Sequence, residues 1–184
     1  MEITATALSG LFIIKPKIFS DQRGYFFESF NEKKLSEGGL NYRFVQDNQS
    51  KSVFGVVRGL HYQLEPYAQT KLVRVLSGRI RDIAVDIRKG SPTFGKSYSI
   101  DLSCENKLQL LVPKGFAHGF SVLSETAVVL YKTDGYYMPS AERGILFSDK
   151  TLAIDWGLKP EEEIVADRDK AFPVLDQAEM NFTF

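Results

Sequence analysis

The sequence predicts a mainly β fold, a sandwich or barrel with a few short helices. Three observations carry this. Apolar residues alternate with polar ones in short runs, the two-residue period of a strand. Gly, Pro, Ser and Asn interrupt those runs about every ten residues, a spacing typical of sandwiches and barrels. Stretches with a helical period are scarce.

Taken in order, Phe19–Glu28 has two readings. One is an edge hairpin with Arg23-Gly24 in its turn and aromatics in the core. The other is an anion site, with Arg23 pairing a phosphate and the aromatics stacking on a base or sugar. Asn31-Glu32-Lys33-Lys34-Leu35-Ser36-Glu37-Gly38 reads as a short helix, capped by Asn31 and ended by Gly38. Leu72–Leu76 is a strand, followed by the turn Ser77-Gly78. Ile80–Ile87 is the next, with Ile83, Val85 and Ile87 on one face and Asp82, Ala84 and Asp86 on the other. Tyr98–Leu102, Leu108–Val112 and Ala127–Lys132 are further strands. Leu158–Glu163 starts a second helix, with proline and acids in its first turn.

A length of 184 residues, without repeat or linker, fits a single domain over 1–184. Lys+Arg and Asp+Glu are both 23, so no overall basic field draws nucleic acid. Local pairs such as Lys71 with Arg74, and Arg79 with Arg81, still suit a small anion. The lone Cys104 forms no internal disulfide and suits a reducing compartment. No basic-then-apolar leader opens the sequence, and no apolar run is long enough to span a bilayer. The expectation is a soluble, cytoplasmic protein that binds no membrane.

The chemistry turns on two histidines, His61 in Arg58-Gly59-Leu60-His61-Tyr62-Gln63 and His118 in Pro113-Lys114-Gly115-Phe116-Ala117-His118-Gly119-Phe120. Histidine is the side chain best suited to moving protons near neutral pH. A metal usually needs three or more ligands, and two distant histidines make a poor set, though His61, His118 and Asp82 remain one geometric possibility. Proton transfer is the sharper reading. His61 follows Arg58, Lys71 begins the next strand, and downstream Asp82, Tyr131 and Lys132 are ionisable groups in apolar or small surroundings. A base, a phenol and a cation at a barrel mouth suit proton abstraction next to a carbonyl. Alone, His61 reads better as a hydrogen-bonded strand histidine and Tyr131 as a barrel-wall aromatic; their combination with Arg58 and Lys71 favours chemistry.

The ordered phrases resemble one family, the dTDP-4-dehydrorhamnose 3,5-epimerases. They begin with Asp21-Gln22-Arg23-Gly24-Tyr25-Phe26-Phe27-Glu28, Phe44-Val45-Gln46-Asp47-Asn48 and the Arg58–Gln63 phrase. Lys71-Leu72-Val73-Arg74-Val75, Asp82–Arg88, Ser91-Pro92-Thr93-Phe94-Gly95 and the His118 phrase follow. Tyr131-Lys132-Thr133, Tyr136-Tyr137, Arg143-Gly144-Ile145 and Ala166-Asp167-Arg168-Asp169 complete the set, which covers nearly the whole chain.

The resemblance implies a cupin-type jelly roll that binds no metal or other cofactor and works as a homodimer. It implies epimerisation of dTDP-4-dehydro-6-deoxy-D-glucose at C3 and C5, a step of dTDP-L-rhamnose and cell-surface polysaccharide synthesis. His61 would be the base, oriented by Asp169; Tyr131 the acid on the other face; Lys71 the stabiliser of the enolate. His118, backed by Asp82, would line the sugar pocket, and Arg58 would hold the diphosphate. Phe19, Arg23, Glu28, Gln46, Asn48 and Tyr137 would contact substrate, some from the partner subunit.

Two features depart from a simple fit. Thr70 stands where the family pattern has a small residue, glycine, before the pocket lysine. Strict alternation also puts Arg58 and His61 on opposite faces, so a shared pocket demands a bulge near Gly59. Three other readings stay open: a mono-epimerase acting at C3 or C5 only, a metal-dependent cupin enzyme, and a non-catalytic sugar-binding jelly roll.

Overall fold

A computed structural model describes all 184 residues. Its strands are β1 (Glu2–Ala5), β2 (Phe12–Lys15), β3 (Phe19–Asp21), β4 (Gly24–Phe26), β5 (Gln46–Val53), β6 (Val56–Gln63) and β7 (Lys71–Ser77). They continue as β8 (Arg79–Asp86), β9 (Ser97–Ser103), β10 (Gln109–Val112), β11 (Phe116–Val122), β12 (Thr126–Thr133), β13 (Glu142–Gly144) and β14 (Ile164–Val165). Two short helices, α1 (Glu32–Glu37) and α2 (Asp167–Lys170), complete the regular structure with three 3₁₀ turns.

Two sheets dominate. One runs β1-β2-β10-β7-β12-β5; the other runs β13-β6-β11-β8-β9, with β14 parallel against β6. The period-2 pattern of β8 explains how they stack. Ile83, Val85 and Ile87 join one apolar cluster with Leu60, Ala117 and Trp156. Ile80 and Ala84, from the opposite face of β8, join the other, with Val73, Leu110, Phe120 and Val129. That second cluster lies between the sheets, because Val73, Leu110 and Val129 come from β7, β10 and β12 of the first sheet. β8 is buried on both faces from Asp82 to Asp86, and its two buried aspartates are each held by a basic partner, His118 and Arg88.

The α1 helix follows its caps. The Asn31 side chain accepts from the Lys34 N–H, and Gly38 ends the helix after Glu37. Leu35 alone is buried, against Ile14, Leu40, Leu72 and Leu111. The helix expected from Leu158 shrinks to one 3₁₀ turn, Pro160–Glu162. None of its three residues is buried, so no apolar face supports a longer helix.

Phe19–Phe26 is a hairpin, β3 paired with β4, with Gln22 and Arg23 at its turn. Its aromatics depart from the core placement expected of an edge hairpin: Phe19, Tyr25 and Phe26 are all exposed. No helix is long and apolar enough to cross a membrane.

Candidate functional site

The site begins with a defect in β6. His118 pairs with His61, and Phe120 pairs with Arg58, so two β6 residues face the single Gly119 across the ladder. Gly59 and Leu60 are those two, and Gly59 has φ +128°. This bulge is the one that the spacing of Arg58 and His61 demands. It turns both side chains toward one hollow, which Lys71, His118 and Tyr131 also line. The close approach also explains the glycines: a Cβ on Gly59 would lie 2.6 Å from the Gly119 Cα.

His61 and His118 are therefore neighbours across a ladder, and each has its own carboxylate. His61 Nε2 bonds Asp169 Oδ1 at 2.9 Å, and the other Asp169 oxygen accepts from the Gly59 N–H at 3.1 Å. His118 Nε2 bonds Asp82 Oδ1 at 2.8 Å. No three His, Cys, Asp or Glu groups converge as a metal set. The His61 ring also meets Phe172 edge to face, in space left by Gly144, the residue opposite His61 in β13.

The facing wall comes from the other sheet. Lys71 opens β7 and Tyr131 lies in β12, and both reach the hollow holding His61. An adjoining hollow shares His61, Lys71, Tyr131 and Glu142 and adds Gln46, Asn48, Gln63, Gln69 and Tyr137. The two have volumes of about 210 and 240 Å³. A polar cleft thus opens between the sheets, with histidines on one wall and a lysine and a phenol on the other.

The electrostatics suit proton transfer. Burial alone would raise the Asp169 carboxyl, but the His61 bond, the Gly59 N–H and Arg168 hold it below the usual carboxylate range. Burial pushes the Lys71 ammonium down to about 8, opposed by the carboxylates of Asp82 and Glu142. Burial raises the Tyr131 phenol, opposed by Arg58 and reinforced by Glu142, so the phenol holds its proton at neutral pH. Arg58 also donates to Ser52 Oγ at 3.1 Å.

With that geometry in place, the chain can be set beside known proteins. The sequence profile described as dTDP-4-dehydrorhamnose 3,5-epimerase matches residues 5–177. The chain belongs to the dTDP-4-dehydrorhamnose 3,5-epimerase family.

The family's isomerase from Shigella flexneri is 54% identical over 170 residues, covering 92% of this chain and 93% of that one. The crystal structure of the dTDP-4-dehydrorhamnose 3,5-epimerase from Elizabethkingia anophelis superposes with a TM-score of 0.93 at 51% identity. It covers 97% of this chain and 99% of that one. The dTDP-6-deoxy-D-glucose-3,5-epimerase of Legionella pneumophila, solved with dTDP-4-keto-L-rhamnose, gives 0.91 at 50% identity. That match covers 96% of this chain and 93% of the other. The two-sheet architecture is accordingly the cupin-like fold of these epimerases.

Most epimerase residues expected from the sequence converge here. His61, Lys71, Tyr131, Arg58, His118, Gln46, Asn48 and Tyr137 line the two hollows, and Asp169 and Asp82 stand behind the histidines. Phe19, Arg23 and Glu28 do not join them. Phe19 and Arg23 line a separate hollow at the exposed hairpin, where Arg23 pairs with Asp21. Glu28 pairs with Lys34 near α1. Lys132 also lies elsewhere, bonded to Asp47 at 2.9 Å and stacked over Phe30, because alternation turns it away from its neighbour Tyr131.

Sequence reading missed Glu142 and Arg168. They bond at 2.8 Å at the mouth of the cleft, and Tyr137 donates its hydroxyl to the same Glu142 oxygen at 2.8 Å. The signal was position alone: Glu142 directly precedes Arg143-Gly144-Ile145, and Arg168 lies inside Ala166–Asp169 with no role of its own assigned.

Proposed function

We propose that this epimerase converts dTDP-4-dehydro-6-deoxy-D-glucose to dTDP-4-dehydro-L-rhamnose, inverting C3 and C5. The observation that carries this reading is the opposition across the cleft. The His61–Asp169 pair stands on one sheet, and Lys71 and Tyr131 stand on the other.

The C4 ketone acidifies the hydrogens on both C3 and C5. The His61 imidazole removes one of them, and the electron pair moves into the C4 oxygen as an enolate. Asp169 fixes the ring tautomer and favours the imidazolium that forms. The Lys71 ammonium and the His118–Asp82 pair stabilise the enolate oxygen; removing one such donor typically costs about 3–4 kcal/mol in other enzymes. The Tyr131 phenol returns a proton from the opposite face, which inverts the carbon. Repetition at the second carbon completes the reaction, and no electron leaves the sugar. A positioned base supplies roughly 10²–10⁴-fold in rate.

Arg58 holds the diphosphate, and Gln46, Asn48 and Tyr137 border the nucleotide end of the cleft. The exposed hairpin supports a homodimer in which Phe19, Arg23 and Glu28 reach the nucleotide of the partner subunit. The lone, unpaired Cys104 supports a reducing, cytoplasmic location. The whole of 1–184 acts as a single catalytic domain.

Incubation with the substrate in D₂O tests the reading. Deuterium at both C3 and C5 of the product is expected. Label at one carbon alone would make the protein a mono-epimerase, and no label would remove it from epimerisation altogether.

A further inference from the structure

The Lys71 ammonium has no hydrogen-bond or ion-pair partner in the chain, although it faces a cleft walled by protein. An ammonium so placed needs an anion nearby to keep its proton. Two carboxylates lie near enough to act on it, and they differ in what else they do. Asp82 on β8 is fully buried and bonded to His118. Glu142 on β13 lines both hollows with Lys71, and its Oε2 accepts from Tyr137 and from Arg168, each at 2.8 Å. Arg168 in turn reaches Asp169 Oδ1 at 3.5 Å.

We propose that Glu142 is a positioning residue that keeps Lys71 cationic for enolate stabilisation, and that Arg168 sets how much of its charge Lys71 feels. This rests on the epimerase reading, since it assigns a supporting part to that same site.

The charges around the pair fix the signs. His61 and Arg58 on β6, His118 on β11 and Tyr131 on β12 all face the cleft with Lys71, and Asp82 on β8 stands behind His118. Arg168 and Asp169 approach from α2, and Tyr137 approaches from the loop before β13. Among these, Glu142 is the anion at the mouth, partly exposed and shared between two donors. Burial lowers the Lys71 ammonium, and Asp82 and Glu142 raise it back. Removing the Glu142 charge therefore lowers it further. Removing the Arg168 charge leaves Glu142 uncompensated and raises it.

The test is the titration of Lys71 in Glu142→Gln, Arg168→Gln and Arg168→Lys, read by NMR of ¹³Cε-labelled lysine. The Lys71 signal is identified by its loss in Lys71→Met, so no turnover is needed. Glu142→Gln is expected to lower the midpoint and Arg168→Gln to raise it, each on the order of half a pH unit or more. Arg168→Lys retains the charge and stays at the wild-type value. The basic limb of kcat follows the same order, while KM for the nucleotide sugar holds. Midpoints that do not move, or that move the same way in both Gln variants, overturn the proposal. The Arg168 side chain is 56% exposed, so Arg168→Gln folds and decides the matter even where Glu142→Gln does not. The expected midpoints in a wild-type protein that exchanges no deuterium would sink the epimerase reading and keep the coupling of Lys71 to Glu142.

Discussion

His61 and Asp169 are 108 residues apart in sequence and 2.9 Å apart in space. The carboxylate that holds the imidazole also accepts the Gly59 N–H, so one side chain fixes both the ring and the bulge that presents it. Asp169→Asn keeps the shape but replaces a carboxylate acceptor with an amide that can favour the wrong tautomer. We expect kcat to fall by about 10²-fold or more, with KM little changed. His61→Asn should stop deuterium exchange at both C3 and C5. Exchange continuing at the wild-type rate in His61→Asn would remove His61 as the base.

Tyr131 gives a different signature. Its hydroxyl makes no hydrogen bond within the chain, so Tyr131→Phe should change stability by less than about 0.5 kcal/mol. Proton abstraction by His61 does not need the phenol, but inversion does. Tyr131→Phe in D₂O should therefore return substrate labelled at C3 or C5 with its configuration retained. NMR of the recovered sugar reads this directly, and wild-type yields of inverted product would dismiss Tyr131 as the acid.

Lys71 sets the upper pH limit. Burial pushes its ammonium down to about 8, so the charge is present below that pH and is lost as pH rises through it. The kcat profile should fall on its basic side near pH 8. Lys71→Arg keeps a cation at all accessible pH values and should move that fall upward. Lys71→Met should lower kcat by roughly 10²–10³-fold, the loss typical of one oxyanion donor. A profile of Lys71→Arg that falls at the same pH as wild type would assign the limb to another group.

The strands were legible because β8 and β9 carry a two-residue period and β7, β10 and β12 are short apolar runs bounded by turn residues. The β6 bulge was legible for a different reason: Arg58 and His61 cannot share a face of a regular strand, and Gly59 offers the backbone freedom to bend it. The hairpin aromatics were not legible, because an exposed Phe19 or Tyr25 has the same composition as a buried one. Nor was the Glu142–Arg168 contact. It depends on β13 pairing with β6 and on α2 packing nearby, and no local pattern encodes a meeting across 26 residues. Whatever local alternation and turn chemistry dictate could be read in advance; partnerships made by tertiary packing could not.

Asp86 provides a test of stability apart from the site. Its side chain is fully buried, and it gathers a ring of donors. Arg88 Nε and the Arg88 N–H reach Oδ1 at 2.8 and 3.0 Å. Ser91 Oγ and Thr93 Oγ1 reach Oδ2 at 2.6 and 2.7 Å, which explains why the Ser91-Pro92-Thr93 phrase follows this strand. Burial alone would raise the carboxyl, but these donors outweigh it and hold Asp86 at about 2, against 3.8 for an ordinary aspartate. A depressed carboxylate stabilises the native state fully above the unfolded value and loses that contribution as pH falls toward the native one. The difference is worth about 2 kcal/mol, at roughly 1.4 kcal/mol per pH unit. Asp86→Asn should therefore be less stable than wild type by about 2 kcal/mol or more at pH 7, from urea midpoints. The gap should narrow as pH falls below about 4, because wild type then loses what the variant never had. A gap constant from pH 7 down to pH 2 would show that the donors recognise the shape of Asp86 rather than its charge.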